Sequence, residues 1–287
     1  MELRKLKREV VDDKKWDECV RQSPNGHVFA YTWYLDIVCE EWEAMVLNDY
    51  ELIVPLPIQH RSFIKNVALP YWIPYLGVIS KIPISESDVN TLLTQIPYLN
   101  VSLTLNAHNK LPPKEAIDVK LTKYVVLDLI LSLERLKAKF STDLNQVIDV
   151  YERQQISVIR SLNPKEYGDF LQQQSTVSDD QLGTLIKLIS FALRYKSAGT
   201  YAAYNQRNEM IAEAFFVKSN SCLSLLHFAT RHDDHDLLGP KAIVYHVLKH
   251  NAESNLTMEF PYHSRLLGHF FSPNKHVCYM YRKGWMQ

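Results

Sequence analysis

Residues 200–281 read TYAAYNQRNEMIAEAFFVKSNSCLSLLHFATRHDDHDLLGPKAIVYHVLKHNAESNLTMEFPYHSRLLGHFFSPNKHVCYMY, and the fold is decided there. Thr200–Asn205, Met210–Lys218 and Cys222–Thr230 are apolar, β-prone segments separated by short polar turns, so three consecutive strands are predicted. Leu238-Gly239-Pro240 reads as a turn and Lys241–Ala252 as a helix, followed by a strand at Leu256–Phe260, a short helix at Leu266–Phe271 and a strand at His276–Tyr281.

Upstream of this stretch, Ile156–Arg160 is a predicted strand. Asn163-Pro164 supplies a cap and a first-turn proline for a helix to about Gln174, and Ser178–Lys196 is a second helix. The first half has a matching layout. A strand at Leu3–Val10 precedes a helix capped by Asp12 or Asp13 and running through Cys19, on which Trp16, Cys19 and Val20 share a face. A helix at Thr32–Glu40 carries Trp33, Leu35, Ile37 and Val38 as an apolar stripe. Strands at Trp42–Leu47 and Glu51–His60 flank the turn Asn48-Asp49-Tyr50. The aromatic run Leu69–Ile79 reads as an edge strand or extended rim because of its prolines, Ser85–Ile96 as a helix and Val101–Asn106 as a strand. Each half thus runs strand, two helices, hairpin, strand, helix, strand. The seam falls in the region of Leu111-Pro112-Pro113 to Lys120, ahead of a β-rich run at Tyr124–Leu129 and helices at Leu131–Phe140 and Thr142–Gln155, which divides the chain into units 1–122 and 123–287.

A chain of 287 residues, 46% hydrophobic and 22% charged, is long enough for two such units, each with a core. Lys and Arg together number 32, as do Asp and Glu, and a net charge of zero argues against a non-specific grip on nucleic acid. The basic N-terminal residues Arg4, Lys5, Lys7 and Arg8 are interleaved with Glu2 and Glu9 and read as a solvated face. Cys19, Cys39, Cys222 and Cys278 form no CxxC pair, so neither a disulfide nor a zinc site is expected. The sequence starts Met-Glu-Leu-Arg-Lys, without an apolar secretory segment there, and its most apolar run, Tyr124–Leu133, is far shorter than the roughly 20 residues of a membrane span. A cytoplasmic location is expected. No P-loop, nucleophile elbow or Rossmann fingerprint occurs.

The doubled layout is similar to the GNAT acyltransferase superfamily, and two units in tandem resemble the FemAB-type aminoacyl transferases. The run Leu76-Gly77-Val78-Ile79 resembles a strand of the first unit in such tandem proteins. Glu259-Phe260-Pro261-Tyr262-His263-Ser264 resembles the acidic-Phe strand end of the second, with Phe271-Ser272 where the family has Phe-Gly. The resemblance implies an α/β (α+β) fold of two units, each a mixed, largely antiparallel sheet flanked by helices. It also implies acyl or aminoacyl transfer to a small-molecule or peptide amine. In acyl-CoA users, a Gly-bearing turn cradles the pyrophosphate at a helix N-terminus. Here that turn reads Asp236-Leu237-Leu238-Gly239-Pro240-Lys241-Ala242: Asp236 replaces a cation or amide, and Pro240 removes an N–H donor. The cofactor is therefore left open, with acyl-CoA as one candidate, and tRNA is the nucleic acid that an aminoacyl donor would bring. The rival reading is a non-catalytic binding or assembly protein that keeps the fold without an acyl-CoA site.

The candidate site residues follow from position and chemistry. Glu259, at a strand end, is a candidate general base, against a role capping the turn before Pro261. His263 is a second acid–base candidate, against a surface histidine. Lys241 and Gly239 are candidates for anion contact at the helix start. Arg231, closing a strand, could hold a carboxylate or phosphate through its planar fork. Tyr71, Trp72 and Tyr75 are candidates for lining a pocket between the units, against simple interface packing. The run Arg231-His232-Asp233-Asp234-His235-Asp236 reads as a solvated loop, and His246 with His250 lacks the Glu of a zinc hydrolase helix, so no metal site is expected.

Overall fold

The chain forms two compact units, residues Met1–Lys123 with His276–Gln287, and Tyr124–Lys275. The computed structural model describes all residues except 1, 62, 113–121, 154, 162, 175–176, 234–236, 263–273 and 285–287. The expected short helix at Leu266–Phe271 lies outside the described residues.

In the first unit, β1 (Arg4–Lys7) leads through a 3-10 turn, Arg8–Val10, to α1 (Asp13–Gln22) and α2 (Thr32–Val38). These are followed by β2 (Glu41–Leu47), β3 (Leu52–Arg61), β4 (Ile64–Ala68), β5 (Ile79–Ser80), α3 (Glu86–Thr94) and β6 (Val101–Thr104). Asp12 is the α1 cap, its side chain accepting from the Lys14 and Lys15 backbone N–H groups at 3.0 and 3.2 Å. Ser85 and Asp88 close a reciprocal capping box on α3. On α2 the buried residues are Thr32, Tyr34 and Leu35, rather than the whole expected stripe: Trp33, Ile37 and Val38 are half-buried.

In the second unit, β7 (Thr122–Asp128), α4 (Leu133–Lys137) and α5 (Thr142–Glu152) precede β8 (Ile156–Ser161), α6 (Pro164–Gln174) and α7 (Asp179–Arg194). Then come β9 (Ala198–Asn205), β10 (Met210–Ser219), β11 (Cys222–Thr230), α8 (Leu238–Asn251), β12 (Thr257–Phe260) and β13 (Asn274–Cys278), while the last strand, β14 (Met280–Lys283), belongs to the first unit. The first sheet runs β1-β2-β3-β4-β6-β14 with β5 beside β3, and the second runs β13-β7-β12-β11-β10-β9-β8. Each is largely antiparallel with one parallel helix-crossover pair, β4 with β6 and β11 with β12. This is the two-unit, GNAT-like α/β architecture.

Three expectations are corrected. The third strand of the first unit is β4, not the aromatic run. Pro70 and Pro74 remove N–H donors there, and the run is irregular, with one parallel bridge between Leu76 and Leu105, until Ile79 enters β5 beside β3. The single C-terminal strand expected at His276–Tyr281 is two: β13 edges the second sheet, while β14 pairs antiparallel with β6 in the first. The turn Leu238-Gly239-Pro240 is the first turn of α8 itself.

Alternation along the strands sets the second core. Ala212, Ala214 and Phe216 of β10 and Leu223 and Leu225 of β11 pack with Val244, Val247 and Leu248 of α8. Among the described residues no helix is long and apolar enough to cross a membrane.

Gly77 is held at φ 128°, a conformation that L side chains rarely adopt, and a Cβ there would collide with Asn109 Oδ1. That oxygen accepts the Val78 N–H at 2.7 Å, while Asn109 Nδ2 donates to Val78 O at 2.9 Å, so the collision breaks a buried pair of hydrogen bonds. Gly77→Ala is expected to destabilise the protein by about 2–4 kcal/mol in urea unfolding, well beyond an exposed Gly→Ala change.

Candidate functional site

β11 and β12 share only a short parallel register: Cys222 opposite Thr257, Leu223 opposite Met258, and Ser224 opposite Glu259. β11 runs on to Thr230 beyond the last of these pairs, so the two strands part company at Ser224 and Glu259. Both residues are buried, and the Ser224 hydroxyl donates to Glu259 Oε1 in a short hydrogen bond. Cys222 Sγ lies 3.7 Å from Ser224 Oγ. Burial and then the neighbouring Glu259 charge push the Cys222 thiol well above its usual range, which keeps it protonated and removes it as a nucleophile at neutral pH.

Register extends this polar pair across the sheet. Ser224 faces Val217 and His227 faces Phe215, and both partners lie on the same face of β10 as Glu213, opposite the α8 core. Glu213, His227, Ser224 and Glu259 therefore share one face of three adjacent strands, and all four are buried. α6 packs against β11 on this unit, and the Tyr167 hydroxyl and His227 Nδ1 are 2.7 Å apart. Among the described residues, the Glu213 carboxyl group has no hydrogen-bond partner. Burial, and then the charge of Glu166, push its pKa up to about 8.

Glu213, Tyr167 and His227 were not singled out from the sequence. The usable signal was one acidic residue inside the apolar strand Met-Ile-Ala-Glu-Ala-Phe-Phe-Val, and one histidine inside Leu-Ser-Leu-Leu-His-Phe-Ala.

The residues named from sequence are placed as follows. Glu259 is buried beside Ser224, and His263 lies outside the described residues. Gly239, Pro240 and Lys241 are buried in the first turn of α8, where the Lys241 N–H closes onto Leu237 O at 3.1 Å. Pro240 sits at the third helical position, where its missing N–H breaks no intrahelical bond. Leu237, ahead of the helix, is left-handed at φ 55°. Arg231 forms a two-point pair with Asp233 at 3.0 Å and lies 3.7 Å from Glu209. It edges an open groove of about 530 Å³ that Phe170, Gln174, Glu209 and Met210 also line. Along β11, Arg231 is about seven residues past Ser224, roughly 23 Å, so Arg231 and Glu259 cannot grip the same small group.

Of the three aromatic candidates, all in the first unit, Trp72 and Tyr75 are buried and Tyr71 is exposed. The Tyr34 hydroxyl donates to Trp72 O at 2.6 Å, and the Tyr75 ring meets the rings of His27 and Phe29 edge-on at 5.0 and 5.2 Å. His246 Nδ1 is 2.7 Å from the Tyr151 hydroxyl, and His250 Nδ1 lies 2.8 Å from His246 O, so each imidazole is tied locally.

Known structures share this fold over nearly the whole chain. FemX is 11% identical with a TM-score of 0.60, over 91% of this chain and 88% of that one. L-PGS from Bacillus licheniformis is 12% identical with a TM-score of 0.53, over 96% and 93%. The tandem GNAT protein from the clavulanic acid biosynthesis pathway is 12% identical with a TM-score of 0.50, over 100% of both chains. No protein family matches the chain, and no curated protein sequence is significantly similar to it. At such identities the likeness is one of fold: an acyl- or aminoacyl-transferase-like scaffold.

The Glu213 carboxyl is raised from 4.5 to about 8 on folding, so the folded state holds the proton more tightly. Stability is therefore unaffected by its ionisation below about pH 4.5 and falls as pH rises towards 8, because the charged form is penalised only in the folded state, on the order of 4 kcal/mol across that window. Glu213→Gln is expected to flatten this fall, leaving the variant more stable than the parent at pH 8.5 but not at pH 4. Denaturant midpoints at the two pH values measure it.

Proposed function

We propose that the protein is a cytoplasmic acyl- or aminoacyl-transferase that joins an activated acyl group to an amine, with the reaction centred where β11 and β12 separate in the second unit. The observation that carries this reading is the end of the parallel register at the buried Ser224–Glu259 pair, with α8 entering from the loop behind β11. The fold shared with FemX, L-PGS and a tandem GNAT protein supports it.

In this reading, backbone N–H groups of β11 beyond Ser224 polarise the acyl carbonyl. Glu259 accepts a proton from the attacking nitrogen, directly or through the Ser224 hydroxyl. The nitrogen–carbon bond forms as the bond from the acyl carbon to the donor's sulfur or oxygen breaks, and the donor leaves with a proton. Lys241, in the first turn of α8, supplies positive charge to an anionic donor, Gly239 lets the donor approach the backbone, and His263 is the second acid–base group. Arg231 holds a substrate carboxylate once Asp233 gives way. The donor is an acyl-CoA or an aminoacyl-tRNA, and the acceptor is a small-molecule or peptide amine.

One observation favours the rival, a binding or assembly protein on the same scaffold. Gly239, Pro240 and Lys241 are all buried, so the turn that would cradle a pyrophosphate presents little free backbone.

The two readings separate when the protein is incubated with a panel of primary amines and either acyl-CoAs or charged tRNA, with amide product followed by mass spectrometry. Amide formation with one donor class is expected, falling about 10²- to 10⁴-fold in kcat for Glu259→Gln, whose side chain still accepts from Ser224. Lys241→Ala is expected to raise the donor KM more than it lowers kcat. No amide from either donor class, together with no donor-induced rise in Tm, overturns the transferase reading in favour of the rival.

A further inference from the structure

On the α6-covered side of the second sheet, two buried acceptor groups lack a donor among the described residues. Glu213 is 1% exposed, and neither carboxyl oxygen has a partner. Gln174 Oε1, two turns beyond Tyr167 on α6, is likewise buried without a donor, and Gln174 lines the open groove beside Phe170, Met210 and Arg231. The groove adjoins Glu213 along β10: the Arg231 N–H donates to Ile211 O at 3.0 Å, two residues before Glu213. Glu209 and Asp233, also on the groove, add negative charge.

A buried carboxyl group without a donor is unfavourable in either charge state, and pairing with a cation relieves both the charge and the missing hydrogen bonds. The groups that interact electrostatically with Glu213 are Glu166 and Tyr167 of α6 and Tyr204 of β9, and His227 of β11 is engaged by Tyr167. Among the described residues no cationic side chain offsets the effect of burial and Glu166. Arg231, the nearest cation along the groove, is already held by Asp233 and Glu209.

We propose that Glu213 anchors an ammonium group of the acceptor, which reaches it between α6 and β10–β11 from the groove at Phe170 and Gln174. An ammonium brings three donors and a positive charge to a seam of acceptors; an alcohol or amide brings no charge. Four residues along β10 and two strands across separate Glu213 from Glu259, roughly 16 Å between Cα atoms. The nitrogen at Glu213 is therefore not the one that Glu259 deprotonates. The acceptor carries at least two amino groups, as a polyamine does, and Glu213 is a positioning residue. This assignment rests on the amine-transfer reading and adds a substrate class to it.

The test uses spermidine as the probe, n-butylamine as the monoamine control, and the full chain with ¹³C-labelled glutamate carboxyl groups. The Glu213 signal, assigned by its loss in Glu213→Gln, is expected to titrate near pH 8 in the free protein and to move at least one pH unit lower with saturating spermidine, but not with equal butylamine. Spermidine Kd is expected to rise about tenfold or more in Glu213→Gln. An unmoved Glu213 signal, or equal spermidine affinity in parent and variant, overturns the proposal. If the variant does not fold, selective loss of one carboxyl signal in Glu213→Asp provides the assignment and the parent titration decides. Spermidine binding through Glu213 without amide formation from any donor would leave this assignment standing and remove the transferase reading. Amide formation with an unchanged spermidine KM in Glu213→Gln would do the reverse.

Discussion

A parallel strand pair inside an otherwise antiparallel sheet is the constraint on which each unit depends. Parallel neighbours cannot be joined by a tight turn, so β11 and β12 require a crossover, and α8 provides it by burying Ile243, Val244, Val247 and Leu248 against the sheet. In the first unit α3 does the same between β4 and β6, with Val89, Leu92 and Leu93 buried. On one side of each pair the antiparallel neighbour follows through a hairpin, β10 with β11 and β3 with β4, whereas on the other side it comes from a distant segment, β7 beside β12 and β14 beside β6. Register in the parallel pairs is short: three residue pairs in one unit and two in the other. A sheet that opens there leaves backbone donors and acceptors for something other than the next strand.

Polar residues on the opposite face from α8 give that opening its chemistry. Ser224 and Glu259 satisfy one another, whereas Glu213 is buried with no donor at all. The difference is one of wiring rather than depth, since Glu259 and Glu213 are 3% and 1% exposed. A carboxylate that already accepts a hydroxyl proton is poised to take another from an incoming amine. One that has nothing to accept is poised to receive a cation.

Much of the fold was legible because its signals are local. Asp12, Ser85 and Ser178 cap their helices through side-chain oxygens two or three residues from the N–H groups that they satisfy. Asn48-Asp49-Tyr50 marked a hairpin, with Asn48 and Tyr50 at positive φ. Where apolar content and backbone chemistry disagreed, the reading failed. The aromatic run Leu69–Ile79, read from its prolines as an edge strand or extended rim, took the third strand's place in the order, while Ile64-Lys-Asn-Val-Ala, with two polar residues, forms β4. Of the candidate site, Glu259 was singled out because it ends a strand. Glu213 was passed over because a lone acidic residue in an apolar strand says nothing until its missing partners are known.

The sequence by itself determined the order of the elements, twice over, since capping, strand alternation and turn chemistry act across a few neighbouring residues. Only the tertiary structure decided that β14 closes the first sheet after a strand of the second, and that Glu213, His227, Ser224 and Glu259 lie on one face of three strands. Both depend on pairing between segments tens of residues apart. Register there is fixed by which faces can be buried together, a property of the assembled sheet rather than of any stretch within it.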